Sequence, residues 1–126
     1  MILPDSAIWI EANRKPASDI AVTLRALLDS DDVSVALPVR VEFVAAASKK
    51  QRPKLRRLIA ALPLVVPSEE TWRLVETWKA RGIDAGYSFS LSDLLIAALA
   101  HELTGLVWSL DTDFDAMEKL GFVRCY

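Results

Sequence analysis

One cysteine and one histidine stand in 126 residues, and that scarcity removes whole classes of chemistry. A lone Cys125 rules out an intrachain disulfide and fits a reducing, cytoplasmic compartment. With no second histidine and no cysteine cluster, a zinc-type site is excluded, and His101, late in an apolar helical stretch, reads as structural. The most apolar stretch, Leu91 to Leu110, is interrupted by Asp93, His101 and Glu102, so no membrane span is expected. The opening MILPDSAIWIE has no basic start and too short an apolar run for a signal peptide. An excess of charge of one sign is lacking too. A net charge of −2 gives no global field to draw in nucleic acid, so a polyanionic substrate needs local basic patches or bound cations. No internal repeat, low-complexity tract or linker appears.

What is present is globular: 52% hydrophobic and 25% charged residues, enough for one domain over residues 1–126. Strand and helix patterns alternate. Ile2 to Pro4 is a short apolar strand, followed by helices from Ser6 to about Asn13 and from Ser18 to Leu28, the latter with Ile20, Leu24, Leu27 and Leu28 on one face. The β-branched Val33 to Leu37 is a second strand, and Pro38 then opens a helix reaching about Ser48. Another helix runs from Pro53 to about Leu62, and Leu64 to Val66 is a third strand. SEETWRLVETWKARG begins with a capping-box pattern at Ser68 and is expected to close on Gly82. A long apolar helix covers Ser90 to about Thr104, Leu106 to Ser109 is a fourth strand, and FVRCY offers a fifth after a short helix. Such alternation implies an α/β three-layer sandwich with a mostly parallel central sheet of four to five strands.

In sheets of this kind ligands bind beyond the carboxyl ends of the strands, where strand order reverses. Asp5 follows the first strand; Asp111 and Asp113 follow the fourth. Glu42 lies one turn into the helix after the second, and Asp93 in the first turn of the most apolar helix. Singly, each has an ordinary explanation. Asp5 suits a helix cap, Asp93 a capping box with Ser90, and Glu42 a solvated helix surface. Yet RVEFVAAA and SLSDLLIAALA set Glu42 and Asp93 among apolar neighbours. Carboxylates gathered there repel and resist burial unless a cation neutralises them, and oxygen-only ligands favour Mg²⁺ or Mn²⁺. As a set, the metal-site reading wins. Asp113 stays open between ligand, outer carboxylate and cap of the last helix. The run KKQRPKLRR, Lys49 to Arg57, is the candidate for phosphate contacts, a solvated surface being about as good a reading. Trp72 and Trp78, with Leu74 and Val75, span an arc of one helix that reads as core or subunit contact.

Four motifs in this order resemble PIN domains, in particular the VapC-like ribonuclease toxins of bacterial toxin–antitoxin pairs. They are the opening MILPDSAIWIE, with Asp5 at its strand end; VRVEF, with Glu42; SLSDLLIAALA, with Asp93; and SLDTDF, with Ser109, Asp111, Asp113 and Phe114. Ala7 departs from the family's commoner hydroxyl residue, while Ser6 keeps one. The resemblance implies a Mg²⁺- or Mn²⁺-dependent endoribonuclease with Asp5, Glu42, Asp93 and Asp111 as catalytic metal ligands and Asp113 beside them. It also implies an RNA substrate, a cognate antitoxin protein, a homodimer and no membrane. The alternatives are a catalytically weak PIN-like binding module and a housekeeping nuclease without an antitoxin. A receiver-like phosphoacceptor is disfavoured because FVRCY offers Arg124 and no lysine. A haloacid-dehalogenase-type phosphatase is disfavoured because Asp5, Ser6, Ala7 is not Asp-x-Asp.

Overall fold

The computed structural model describes all 126 residues, Met1 to Tyr126. In chain order the elements are β1 (Ile2–Pro4), α1 (Ser6–Arg14), α2 (Asp19–Asp29), β2 (Val35–Ala36), α3 (Leu37–Ala46), α4 (Arg52–Ala60) and β3 (Leu64–Val65). Then come α5 (Glu69–Asp84), α6 (Leu91–Glu102), β4 (Leu106–Trp108), α7 (Thr112–Lys119) and β5 (Arg124–Cys125). Every strand pair is parallel. β1, β4 and β5 form one ladder and β2 and β3 another, and a parallel bridge from Ile2 to Val33 joins them into the order β3-β2-β1-β4-β5. The Ile2 N–H donates to the Asp32 carbonyl and the Ile2 carbonyl accepts from the Ser34 N–H at 3.0 Å. With the usual right-handed crossovers, the helices between β1, β2 and β3 fall on one face, and those leading from β3 to β4 and from β4 to β5 fall on the other. The packing agrees: α1 meets α2 and α3, and α3 meets α4, while α6 meets α5 and α7. The expected three-layer α/β architecture is present, with five strands.

Local chemistry explains most boundaries. Asp5, Ser18, Ser68, Ser90 and Asp111 each accept an N–H bond at the start of α1, α2, α5, α6 and α7. Pro38 and Pro53 sit in the first turns of α3 and α4, where a missing N–H leaves no bond unmade. Pro53 therefore starts a helix inside the basic run. Leu37, expected in the second strand, instead opens α3.

Gly82 does not end α5, which continues to Asp84. A side chain there would bring its Cβ within 2.9 Å of the Phe89 ring, so this glycine allows α5 to lie close against the segment leading into α6. Trp78 is core, but Trp72 on the same helix is exposed. The core joins residues from every layer, and α6 supplies seven consecutive buried residues, Leu94 to Ala100. A helix buried all round has its first free polar position just before that run, at Asp93.

Candidate active site

The chain's strand order reverses between β1 and β4, so the crevice lies beyond Pro4 and Trp108, which are paired at the ends of those strands. The Asp5 N–H extends the ladder by one bond, donating to the Trp108 carbonyl at 2.9 Å. Asp5 is 6% exposed. Its Oδ1 accepts from the Ile8 N–H at 3.1 Å, and its Oδ2 accepts from the Ser109 hydroxyl. The same Ser109 oxygen accepts from the Asp111 N–H at 2.9 Å. One hydroxyl thus ties the acid after β1 to the loop after β4, across 104 residues of chain.

Asp111 is the cap of α7: its Oδ1 accepts from the Asp113 N–H at 2.9 Å. Asp113 is not the cap, and its carboxylate lies in the first turn of α7. Asp93 makes half of the expected capping box, its N–H donating to Ser90 Oγ at 3.1 Å. The Asp93 carboxylate lies within reach of the Ser90 hydroxyl on one side and of Asp111 and Asp113 on the other. Asp93, Asp111 and Asp113 can each present one oxygen within 4.8 Å of the others. Glu42 is exposed on α3, and its Oε1 accepts from the Ser92 hydroxyl at 2.7 Å. Asp5 and Glu42 flank the triad without belonging to it.

Charge interactions link the five: Glu42 and Asp111 act on Asp5, and Asp111, Asp5 and Asp113 act on Asp93. Burial pushes the Asp93 carboxyl up to about 6, against the Ser90 bond that lowers it, and Asp111, Asp5 and Asp113 raise it further. Burial also raises Asp5, opposed by the Ser109 and Ile8 bonds and helped by the charges on Asp111 and Glu42. No lysine or arginine offsets them. The only ion pairs in the chain are Lys15–Glu11 and Arg73–Glu69. An all-oxygen set of unneutralised carboxylates fits a hard divalent cation.

The PIN-domain family profile matches residues 2–120. The chain belongs to the PIN-domain family. Within it, the ribonuclease VapC11 of Mycobacterium tuberculosis and a VapC ribonuclease of Mycobacterium bovis are each 31% identical over 125 residues, covering 95% of this chain and 93% of the relative. The fold is shared with VapBC2 from Rickettsia felis, solved bound to a promoter DNA fragment, at TM-score 0.79 and 16% identity over 100% of this chain and 98% of that one. FitAcB from Neisseria gonorrhoeae matches at TM-score 0.76 and 22% identity, over 100% and 96%.

For this PIN domain, the structure gathers all five acids singled out in the sequence at one crevice, in two grades. Asp93, Asp111 and Asp113 form the tight group, with Asp5 below it and Glu42 at its rim. His101 is elsewhere: its Nδ1 lies 3.1 Å from the Phe122 carbonyl and its ring stands edge-on to Trp78. Ser92 was missed. Its role depends on α3 meeting α6, which no local pattern reveals.

Proposed function

We propose that this PIN domain, residues 1–126 acting as one unit, is a Mg²⁺- or Mn²⁺-dependent endoribonuclease and the toxin of a cytoplasmic toxin–antitoxin pair. The observation that carries the reading is the crevice of five carboxylates with no basic partner, in a chain similar to VapC ribonucleases. Asp5, Glu42, Asp93 and Asp111 would hold the cation, with Asp113 as a further or outer ligand. A bound divalent ion supplies an activated water and charge stabilisation on the phosphate. The chain's own part is positioning. Ile8 and Ser109 fix both oxygens of Asp5, and Ser92 holds Glu42 towards the crevice. The crevice has no cysteine, histidine or lysine, its two serine hydroxyls are held by Asp5 and Glu42, and in this reading the attacking group is water.

Partnership has separate supports. An apolar groove of about 340 Å³ between α1, α2, α3 and α4 is lined by Trp9, Leu24, Phe43, Leu55, Leu58 and Ile59, and the buried Trp9 Nε1–H has no acceptor. Its size and apolar lining suit side chains of an antitoxin segment. Exposed Trp72, Ile83 and Leu91 form a second apolar surface, on α5 and the start of α6, that suits a homodimer.

The direct test incubates purified protein with pooled cellular RNA in Mg²⁺, Mn²⁺ or EDTA and maps new 5′ ends. Cuts at defined sites with either metal and none in EDTA are expected. Intact RNA in all three would overturn the nuclease reading in favour of a binding module. Induction in a bacterium should arrest growth, and the Asp5→Asn protein should not. Cleavage without arrest would point to a housekeeping nuclease.

A further inference from the structure

The basic run from Lys49 to Arg57 is divided by the start of α4. Lys54 and Arg57 are exposed on one side of that helix, while Arg52 and Arg56, one turn apart, lie towards α3, where Arg40 joins them. These three arginines, with Val41, Val44 and Ala45, line a cleft of about 450 Å³. Arg40 and Arg52 are half-buried. Arg52 is also held: its Nε donates to the Ala47 carbonyl at 3.2 Å, leaving the two terminal amino groups for another acceptor. None of the three is in either ion pair of the chain. In a chain of net charge −2, three arginines with no carboxylate among the cleft's lining residues form a local positive patch.

Crevice and cleft share α3. At ~100° per residue, Glu42 lies about 60° round that helix from Ala45, about 100° from Val41 and about 160° from Arg40, so a strand passes from one to the other round a single helix about 10–12 Å across. Exposed Ala45 and Val41 form the ridge between Glu42 and Arg40. Guanidinium groups match phosphate oxygens in pairs, and a single strand crossing that ridge meets a cation-binding site on one side and phosphate-binding forks on the other.

We propose that the α3–α4 cleft, through Arg40, Arg52 and Arg56, binds backbone phosphates of single-stranded RNA a few nucleotides from the bond that is cut. The inference rests on the nuclease reading for its substrate but is measurable without cleavage. In EDTA, titrate a labelled RNA of about a dozen nucleotides against the wild type, an Arg40→Gln/Arg56→Gln double variant, and a matched Lys54→Gln/Arg57→Gln double variant. Arg52 is left in place because it also binds Ala47. The cleft variant should bind about tenfold more weakly at low salt, and its log–log salt slope should shrink by about 1.4, about 0.7 for each lost phosphate contact. The outer variant should change less than about twofold.

Equal losses in both variants, or none in either, overturn the proposal. So does a change in sedimenting mass confined to the cleft variant, which would make the cleft a protein interface. RNA that binds the wild-type protein through the cleft yet stays uncut with Mn²⁺ would sink the nuclease reading and leave the cleft standing.

Discussion

Two side-chain clusters in this small fold are assembled from distant segments, and they are built on opposite terms. Between α5, α6 and the entry to β5, Trp78 stacks on Phe122 at 4.6 Å and 2°, His101 stands edge-on to Trp78, and the Arg81 guanidinium lies 4.8 Å from the Phe122 ring centre. Each of those groups meets a complementary one. At the crevice, Asp5, Glu42, Asp93, Asp111 and Asp113 meet mainly each other, and only hydroxyls and backbone N–H groups hold them. The first cluster is satisfied by the chain alone. The second leaves its like charges unneutralised by the chain, which is the usual relation between packing and function.

The largest expected effects come from breaking each cluster in turn. Phe122→Ala removes a fully buried ring and should destabilise the fold by about 3–5 kcal/mol while leaving turnover per folded molecule intact. Asp93→Asn and Asp111→Asn should do the reverse, keeping a folded protein but lowering cleavage by ~10²-fold or more. Circular dichroism melts and initial cleavage rates on the same samples separate the two. Full activity in Asp93→Asn would remove it from the metal set.

How much of this contrast could be read from the chain depends on whether each feature is local. Asp5, Asp111 and Asp113 were legible because a strand end followed by a cap is a pattern of a few residues. Asp93 was legible because the helix it begins is apolar for seven residues after it. Glu42 was singled out for apolar neighbours, but Val41 is 61% exposed and Glu42 is exposed with it. What matters at Glu42 is the contact with Ser92, 50 residues away. Gly82 was misread as a helix end, since its reason is the Phe89 ring across the helix pair. The break of the basic run near Pro53 was legible from the proline, but which of its arginines turn towards α3 was not, because that follows from where α3 lies. Tertiary approach, rather than propensity, decided each of these.

Metal addition sharpens the comparison. Mn²⁺ at a hundredfold excess over its dissociation constant should stabilise the wild type by ~2.7 kcal/mol, roughly 10 °C for a domain of this size. The Asp93→Ala protein should lose most of that shift, and Phe122→Ala should retain it from a lower starting point. An unmoved wild-type melt would mean that the acids serve as caps and surface charge.

A smaller effect follows from pH. In the folded, metal-free protein Asp93 titrates at about 6, above its ordinary 3.8, and Asp5 is displaced the same way. Between those values the folded state holds more protons than the unfolded one. Stability from this group is therefore full below about 3.8 and lost as pH rises through about 6. After solvent screening of a half-exposed group, the loss is about 1 kcal/mol. Asp93→Asn should flatten that slope in EDTA melts. Saturating Mn²⁺ should invert it, because the ion competes with the protons. A wild-type slope in EDTA identical to that of Asp93→Asn would show that the carboxylates do not interact as described.

The smallest expected effect is the most specific to this chain. Ser92 does not belong to the acidic cluster, yet its hydroxyl donates to Glu42 Oε1 at 2.7 Å and is that carboxylate's only side-chain partner. Ser92→Ala removes the donor without adding a charge or a cavity of consequence, since Ser92 is only partly buried. Glu42, exposed on α3, would then sample several rotamers and point into the crevice for part of the time. A bond to a charged acceptor contributes about 1.5–3 kcal/mol when sheltered and less in contact with water, so the expected loss of cleavage is about 3–10-fold. It should fall on kcat with KM nearly unchanged, because in the proposed reading Glu42 holds the cation and the arginine cleft holds the strand. Ser92→Thr keeps the hydroxyl and should restore most of the rate. Equal rates for Ser92→Ala and wild type, with Glu42→Gln still inactive, would show that α3 positions Glu42 by itself.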